Sequence, residues 1–279
     1  MNLRVLFRVD RDNEDEYEAA LRVLGEERVT RFRTDLQEGD LVVGRYSTLP
    51  FFSELSEEVG RQGASMINTV SEYTWIATMG WYQALEGLTP VSYFEVGWKT
   101  VPDAEHGWVV KGATNSRKQK WSTHMRAETR DDLKEVMQRL WDDPLLGEQG
   151  LVVREYVPLR AYEVGVRGMP MTNEWRCFFL TDELNRPHMV GAGYYWSQAE
   201  RADQMGELPE AARELAFEAA ERCARHATFF VVDVGEVVEA PGSEEHSHWT
   251  VIEVNSGQMA GLSMIEPESL YHNLDRLLT

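Results

Sequence analysis

The chain has 279 residues, enough for a sizeable core in one large domain or two closely packed ones, and its 28 Lys and Arg against 47 Asp and Glu leave a formal net charge of −19. A surface that acidic repels phosphate backbones and anionic lipid headgroups, which argues against nucleic-acid and membrane partners while leaving room for a local basic pocket. No stretch approaches the roughly 20 apolar residues of a membrane span, no signal-peptide pattern opens the chain, and Cys177 and Cys223, without metal-ligand spacing, read as reduced core thiols, so a cytoplasmic protein is expected.

Residues 3–9 are predicted as a strand and 14–25 as a helix with an acidic first turn and a glycine stop. Strands at 29–33, 40–44 and 65–68 alternate with this helix and a second one at 50–63, which predicts a small parallel sheet. Two helical pieces, 72–79 and 81–86, are too apolar to face solvent and should pack against other elements. A boundary near residue 87 divides an α/β unit, 1–87, from the remainder, 88–279. There the expectation is strand 108–112, helix 130–141, strand 151–157, strands 174–180 and 188–196, and a helix over 209–226 with Pro209 in its first turn. A closing pair of strands makes the class α+β, mostly antiparallel beyond residue 87.

The last run, Trp249 to Gly257, is apolar and β-branched yet ends in Glu253 and Asn255. Two residues apart on a strand, they point the same way. A charge there is costly unless compensated, and a hard cation such as magnesium takes carboxylate and amide oxygens. The run Phe229 to Val234 carries Asp233, and the polar segment 239–248 lets the two runs pair as a hairpin. Asp233, Glu253 and Asn255 would then meet. His246 and His248 in the connecting segment are expected to be exposed.

Lys111 ends the strand 108–112. It suits a lysine that snorkels its ammonium into water, and equally one aimed at a phosphate. The following loop carries Arg117, Lys118 and Lys120, a reversal of charge in so acidic a chain. Backbone N–H groups, hydroxyls and cations together suit a polyphosphate, although a solvated basic turn has the same composition. No Walker or Rossmann glycine pattern occurs. Arg154 and Arg176 interrupt strands, and a buried arginine needs an anionic partner, from the protein or from a ligand. For Arg154 a structural ion pair is the preferred reading.

These pieces, in this order, resemble the ATP-grasp superfamily, and within it the branch like the ribosomal-S-six-modifying glutamate ligase. The likeness spans roughly residues 90–265 and rests on Val109-Val110-Lys111-Gly112, Leu151-Val152-Val153-Arg154-Glu155-Tyr156-Val157, Glu174-Trp175-Arg176-Cys177-Phe178, Val231-Val232-Asp233-Val234 and Val251-Ile252-Glu253-Val254-Asn255-Ser256. It implies an ATP-grasp fold preceded by a small α/β domain. Lys111 would contact ATP phosphates, and the hinge strand with Arg154, Glu155, Tyr156 and Val157 would hold the adenine edge. Glu163 is the candidate ribose acid, and Arg117 and Lys118 stand in the loop that replaces the usual glycine-rich flap. Arg176 would line the phosphate and substrate site, and Asp233, Glu253 and Asn255 would hold magnesium. Arg45 matches an arginine that faces the substrate groove.

Two departures stand out. Residues 71–80 lack the family's early lysine, leaving Lys99 as the nearby candidate, and Ser256-Gly257-Gln258-Met259 replaces the usual Ser-Pro-Gly. The function implied is an ATP- and magnesium-dependent carboxylate–amine ligase working through an acylphosphate on a small-molecule, amino-acid or peptide substrate, with a homo-oligomer open. The alternatives are an ATP-grasp kinase of a small-molecule hydroxyl and a non-catalytic ATP-binding regulator; the absent early lysine favours the latter.

Overall fold

The computed structural model describes residues 2–9, 13–144, 146, 150–165, 168–239 and 247–279. Its N-terminal part comprises β1 (Asn2–Leu6), α1 (Glu14–Leu24), β2 (Val29–Thr30), β3 (Asp40–Gly44), α2 (Phe52–Arg61) and β4 (Ser65–Met66). The strand order is β2-β1-β3-β4 with every pair parallel, as the alternation of strands and helices predicts. Successive residues of β1 serve two helices. Leu3 and Val5 pack with Ala20 and Leu24 of α1, whereas Leu6 packs with Phe52, Leu55 and Val59 of α2. β1 stops at Leu6, short of the predicted Val9, because after Phe7 N–H donates to Thr30 the chain turns outward and Arg8 and Val9 are exposed.

The helix α3 (Val70–Ala77) opens on a capping box between Thr69 and Glu72, and α4 (Trp81–Ala84) follows. As their apolar composition requires, Ile76, Met79, Trp81 and Leu85 are buried against the C-terminal sheet.

A second layer pair follows: β5 (Ser92–Phe94), β6 (Trp108–Gly112), α5 (Trp121–His124), β7 (Arg126–Ala127), α6 (Arg130–Trp141) and β8 (Leu151–Glu155). The antiparallel sheet runs β5-β8-β6-β7. Trp108, Val110, Leu151 and Val153 pack on Leu133, Val136, Met137 and Leu140 of α6. The period of two then leaves Val109, Lys111 and Arg154 on the opposite face.

The remaining elements are a hairpin of β9 (Ala161–Val164) and β10 (Pro170–Thr172), then β11 (Glu174–Thr181), β12 (Pro187–Tyr194), α7 (Glu210–Cys223), β13 (Phe229–Val238), β14 (Ser247–Ser256) and α8 (Pro267–Leu278). The large sheet is antiparallel in the order β12-β11-β13-β14, in line with the expected α+β class. One face packs Cys177, Phe179 and Val232 against Ala212, Ala216 and Ala219 of α7. The other packs Phe178, Leu180, Phe229 and Val231 against Leu270, Tyr271 and Leu274 of α8. Cys177 and Cys223 are buried free thiols, as expected. The sequence reading stopped short of α8, whose proline at the first turn and buried 270, 271 and 274 positions are a regular amphipathic signature. Among the described residues no helix is long and apolar enough to cross a membrane. His246 lies outside the described residues, and His248 is exposed on β14.

Candidate active site

A row of cross-strand partners organises the site. Gly193 on β12, Arg176 on β11, Asp233 on β13 and Glu253 on β14 are paired in register, so their positions share one face. Asn255 follows Glu253 on that face, and the predicted hairpin does bring the acids side by side. Arg176 grips Asp233 with both prongs: Nε to Oδ1 at 2.8 Å and Nη2 to Oδ2 at 2.7 Å. Its Nη1 donates to the Gly261 carbonyl at 2.9 Å. The pair is buried, with Asp233 only 1% exposed, so two charge-assisted hydrogen bonds offset the desolvation of both ions.

The opposing sheet contributes Lys111, which ion-pairs with Glu253 across the gap. Lys118 of the basic loop folds in beside it. Its ammonium donates to Tyr195 Oη at 2.5 Å and lies 4.6 Å from the centre of that ring, and the Arg176 guanidinium lies 4.6 Å from the same centre. The charges set one another's protonation. Burial would raise the Glu253 carboxyl, but Lys111 and then Lys118 outweigh it and hold the group at about 2. Burial would lower the Lys118 amine, yet Tyr195, Glu253 and Glu174 keep it above its ordinary value. Glu174 goes the other way: burial raises its carboxyl despite Lys118 and the donors Thr172 and Trp196.

Between the two antiparallel sheets lies a cleft with a cavity volume of about 140 Å³. Val109, Lys111 and Arg154 form one wall, and Thr172, Glu174, Ile252 and Glu253 the other. Ser116, Lys118 and Trp121 of the basic loop cover it, and Glu155, Tyr156 and Val157 close its end. At that end Glu155 N–H donates to Val91 and Tyr156 N–H to Gly107, each at 2.9 Å. Among the described residues no backbone carbonyl takes the Val157 N–H, which leaves a donor at the cleft edge. Gly107 has φ +74°, and a Cβ there would stand 2.3 Å from the Ala127 carbonyl, so the close approach that anchors Tyr156 needs glycine.

Several sequence expectations need correction. Arg154 is buried without the structural ion pair preferred for it. Its guanidinium donates to Ser92 Oγ at 3.0 Å, to Thr89 Oγ1 at 2.6 Å and to the Ile252 carbonyl, and burial lowers it to about 10. Neutral oxygens suffice because Thr89, Ser92 at the start of β5 and Ile252 of β14 hold them in a fixed array. Arg45 does not face a groove. It is 4% exposed, paired with Glu16 at 2.6 Å and bonded to the carbonyls of Gly257 and Ala260, because β3 delivers it beneath α1 and α8. Arg117 is held by Asp143 at 2.8 and 2.5 Å, and Glu163 accepts from Glu200 N–H at 3.3 Å; neither lines the cleft. The Lys99 ammonium lies 5.3 Å from the Trp98 ring and is likewise not in the cleft lining. Lys118 is thus the second ammonium there. Tyr195 carries no signal of its own in the sequence, since its partners Lys118 and Arg176 come from a distant loop and a neighbouring strand.

Asp233, Glu253 and Asn255 are oxygen donors of the kind a hard cation takes, with Asp233 held on both oxygens by Arg176 and Glu253 paired with Lys111. Among the described residues no group of three His, Cys, Asp or Glu is placed to hold a metal ion.

Solved structures share this architecture. An L-amino acid ligase from Bacillus licheniformis matches with a TM-score of 0.55 and 12% identity, over 91% of this chain and 67% of that one. The ATP-grasp ligase PsnB complexed with a minimal precursor matches at 0.57 and 12%, over 100% and 99%. A biotin carboxylase–ATP-analogue complex from Campylobacter jejuni matches at 0.60 and 11%, over 98% and 70%. No curated protein matches the sequence. The sequence model of the ATP-grasp domain, R-two-K clade family 3, matches residues 95–274, well over half of the chain and all of the cleft described above except Pro90, and the protein therefore belongs to that ATP-grasp family.

Proposed function

We propose that the protein is an ATP- and magnesium-dependent ligase that joins a carboxylate to an amine through an acylphosphate, on a small-molecule, amino-acid or peptide substrate. The observation that carries this reading is the convergence of Lys111 and Lys118 with Glu253 in one cleft, with the Arg176–Asp233 ion pair beside Glu253 in the same cross-strand row. The names of two fold neighbours, an amino-acid ligase and a ligase with its precursor, agree with it.

Phosphoryl transfer depends on positioning and neutralisation more than on covalent help. In this reading the Val157 N–H and the carbonyls beside it meet the adenine edge, and Arg154 stiffens the strand behind. Lys111 and Lys118 neutralise phosphate oxygens. A polyphosphate competes for the Lys111 ammonium, which frees the Glu253 carboxylate for a cation. Magnesium, when bound, would supply charge neutralisation between the phosphates. Three of the five N–H donors of Arg176 are engaged, so two remain for the transferring group and the tetrahedral intermediate. The basic loop, pinned by Lys118 to Tyr195, excludes water from the acylphosphate. Arg117 and Glu163 have no nucleotide contact in this scheme.

The test is ADP release with magnesium, ATP and a panel of amino acids and dipeptides, with products weighed by mass spectrometry. A product equal to the two substrates less one water supports the ligase. A phosphorylated hydroxyl product selects a kinase, and no ADP release with any pair rejects both in favour of a regulator.

A further inference from the structure

The parallel sheet holds a second cavity that the nucleotide reading leaves without a role. In the order β2-β1-β3-β4, the chain leaves β1 toward one side and leaves β3 toward the other. The carboxyl ends of these two neighbours bound a crevice that no crossover fills, which is where open α/β sheets take their ligands. A cavity of about 520 Å³ opens there. Arg8 follows β1, Arg31 and Arg33 follow β2, and all three line it. In a chain of net charge −19, a crevice lined by three arginines and no lysine selects the planar fork that matches carboxylates.

Protein carboxylates already stand at this rim. Arg31 Nη2 donates to Glu14 at 2.6 Å while its guanidinium lies 3.9 Å over Tyr17, Arg33 pairs with Glu58, and Glu54 is on the wall. The Arg33 and Glu58 side chains are 48% and 43% exposed, and such pairs hold weakly, so an incoming carboxylate can exchange for Glu58. Apolar side chains flank the same arginines: Val9, Phe32 and Phe51 are 65%, 59% and 63% exposed. Arginine interleaved with exposed aromatics is the composition of a recognition surface. The crevice also adjoins the reaction cleft. Ser47 on its wall donates to Met259 Sδ at 3.7 Å, and Met259 lines a small cavity with Glu253 and Asn255.

We propose that this crevice binds a peptide substrate, gripping a carboxylate with Arg8, Arg31 and Arg33 and an adjacent apolar side chain with Val9 and Phe51. It is the recognition end of the site whose chemistry was assigned above, and it rests on that ligase reading. The peptide's reacting end would pass Ser47 and Met259 to reach Glu253.

Calorimetric titration of the full chain tests this with three probes: Glu-Phe amide, its uncharged counterpart Gln-Phe amide, and free glutamate. The β,γ-imido analogue of ATP is titrated separately in magnesium. The expected result is Glu-Phe amide binding at least about tenfold tighter than either other probe, with the preference lost in Arg31→Gln and in Arg33→Gln. Binding of the analogue by each variant verifies its fold. Equal binding of Glu-Phe and Gln-Phe amides, or a preference that survives in both variants, overturns the proposal. Glutamate binding as tightly as Glu-Phe amide overturns the peptide assignment. Failure of the analogue to bind the unaltered chain removes the ATP reading instead, while the peptide titrations still decide the crevice.

Discussion

Glu253 is the residue on which most of the site converges. Lys111 touches it, Lys118 lies within its field, and Asp233 is its cross-strand partner. Glu253→Gln keeps the shape and removes the anion. We expect magnesium-dependent ADP release to fall by about a hundredfold or more while far-ultraviolet circular dichroism is unchanged; undiminished turnover would remove Glu253 from the cation site. The same residue sets a pH dependence. Its carboxyl is held at about 2 in the folded protein, below its ordinary 4.5. The ion pair therefore contributes its full stability above about pH 4.5 and loses it as pH falls toward 2. Urea unfolding of the unaltered chain and of Glu253→Gln should show the difference between them shrinking between about pH 5 and about 2.5. A constant difference would mean that Lys111 does not stabilise the carboxylate.

The segment that leaves β14 is an element in its own right, held by arginines from two directions. Arg45 binds the carbonyls of Gly257 and Ala260, and Arg176 binds that of Gly261. Arg45→Met strands Glu16 as a buried charge, its carboxylate left to the Tyr271 hydroxyl. We expect a loss of roughly 3–5 kcal/mol in chemical denaturation and weaker binding of the imido analogue of ATP, because the segment after Asn255 loses its tether. On the opposite side, a Cβ at Gly193 would stand 2.7 Å from the backbone of Met264 and Ile265. Gly193→Ala should cost about 1–3 kcal/mol in the same assay, and no cost would mean that the segment yields freely. This clamp explains what the sequence could and could not reveal. Lys111, Arg176, Asp233 and Glu253 were legible because each is a charge inside an apolar strand of period two, which burial penalises without a partner. Arg45 carries the same signal, but its partners come from α1 and from a loop more than two hundred residues away, so nothing local separates a clamp from a substrate contact. Arg154 defeats the rule differently, since its partners are hydroxyls and a carbonyl. Tyr195 carries no local mark at all, because its partners Lys118 and Arg176 meet it only in the folded chain.

At the scale of the whole molecule, the cleft separates two cores. One lies between α6 and the sheet of β5 to β8, and the other is built on both faces of the sheet of β11 to β14. Polar contacts across the cleft include Lys111 to Glu253 and Arg154 to Ile252, and Val152 of β8 packs with apolar side chains of the opposing sheet. A nucleotide seated between the sheets would therefore bind only when both are folded, and should stabilise them together. At a hundredfold excess over its dissociation constant a ligand adds about 2.7 kcal/mol to the state that binds it. Differential scanning calorimetry with the imido analogue of ATP and magnesium should raise the unfolding temperature of both cores and sharpen the transition. Removing magnesium with EDTA should abolish most of that gain, since Asp233, Glu253 and Asn255 are the groups proposed to hold the cation. The gain should also fall in Lys111→Ala, whose partner Glu253 remains available to the cation but whose phosphate contact is lost. A shift that is identical with and without magnesium would detach the acidic row from nucleotide binding. A shift confined to one core would place the nucleotide on one sheet, outside the cleft.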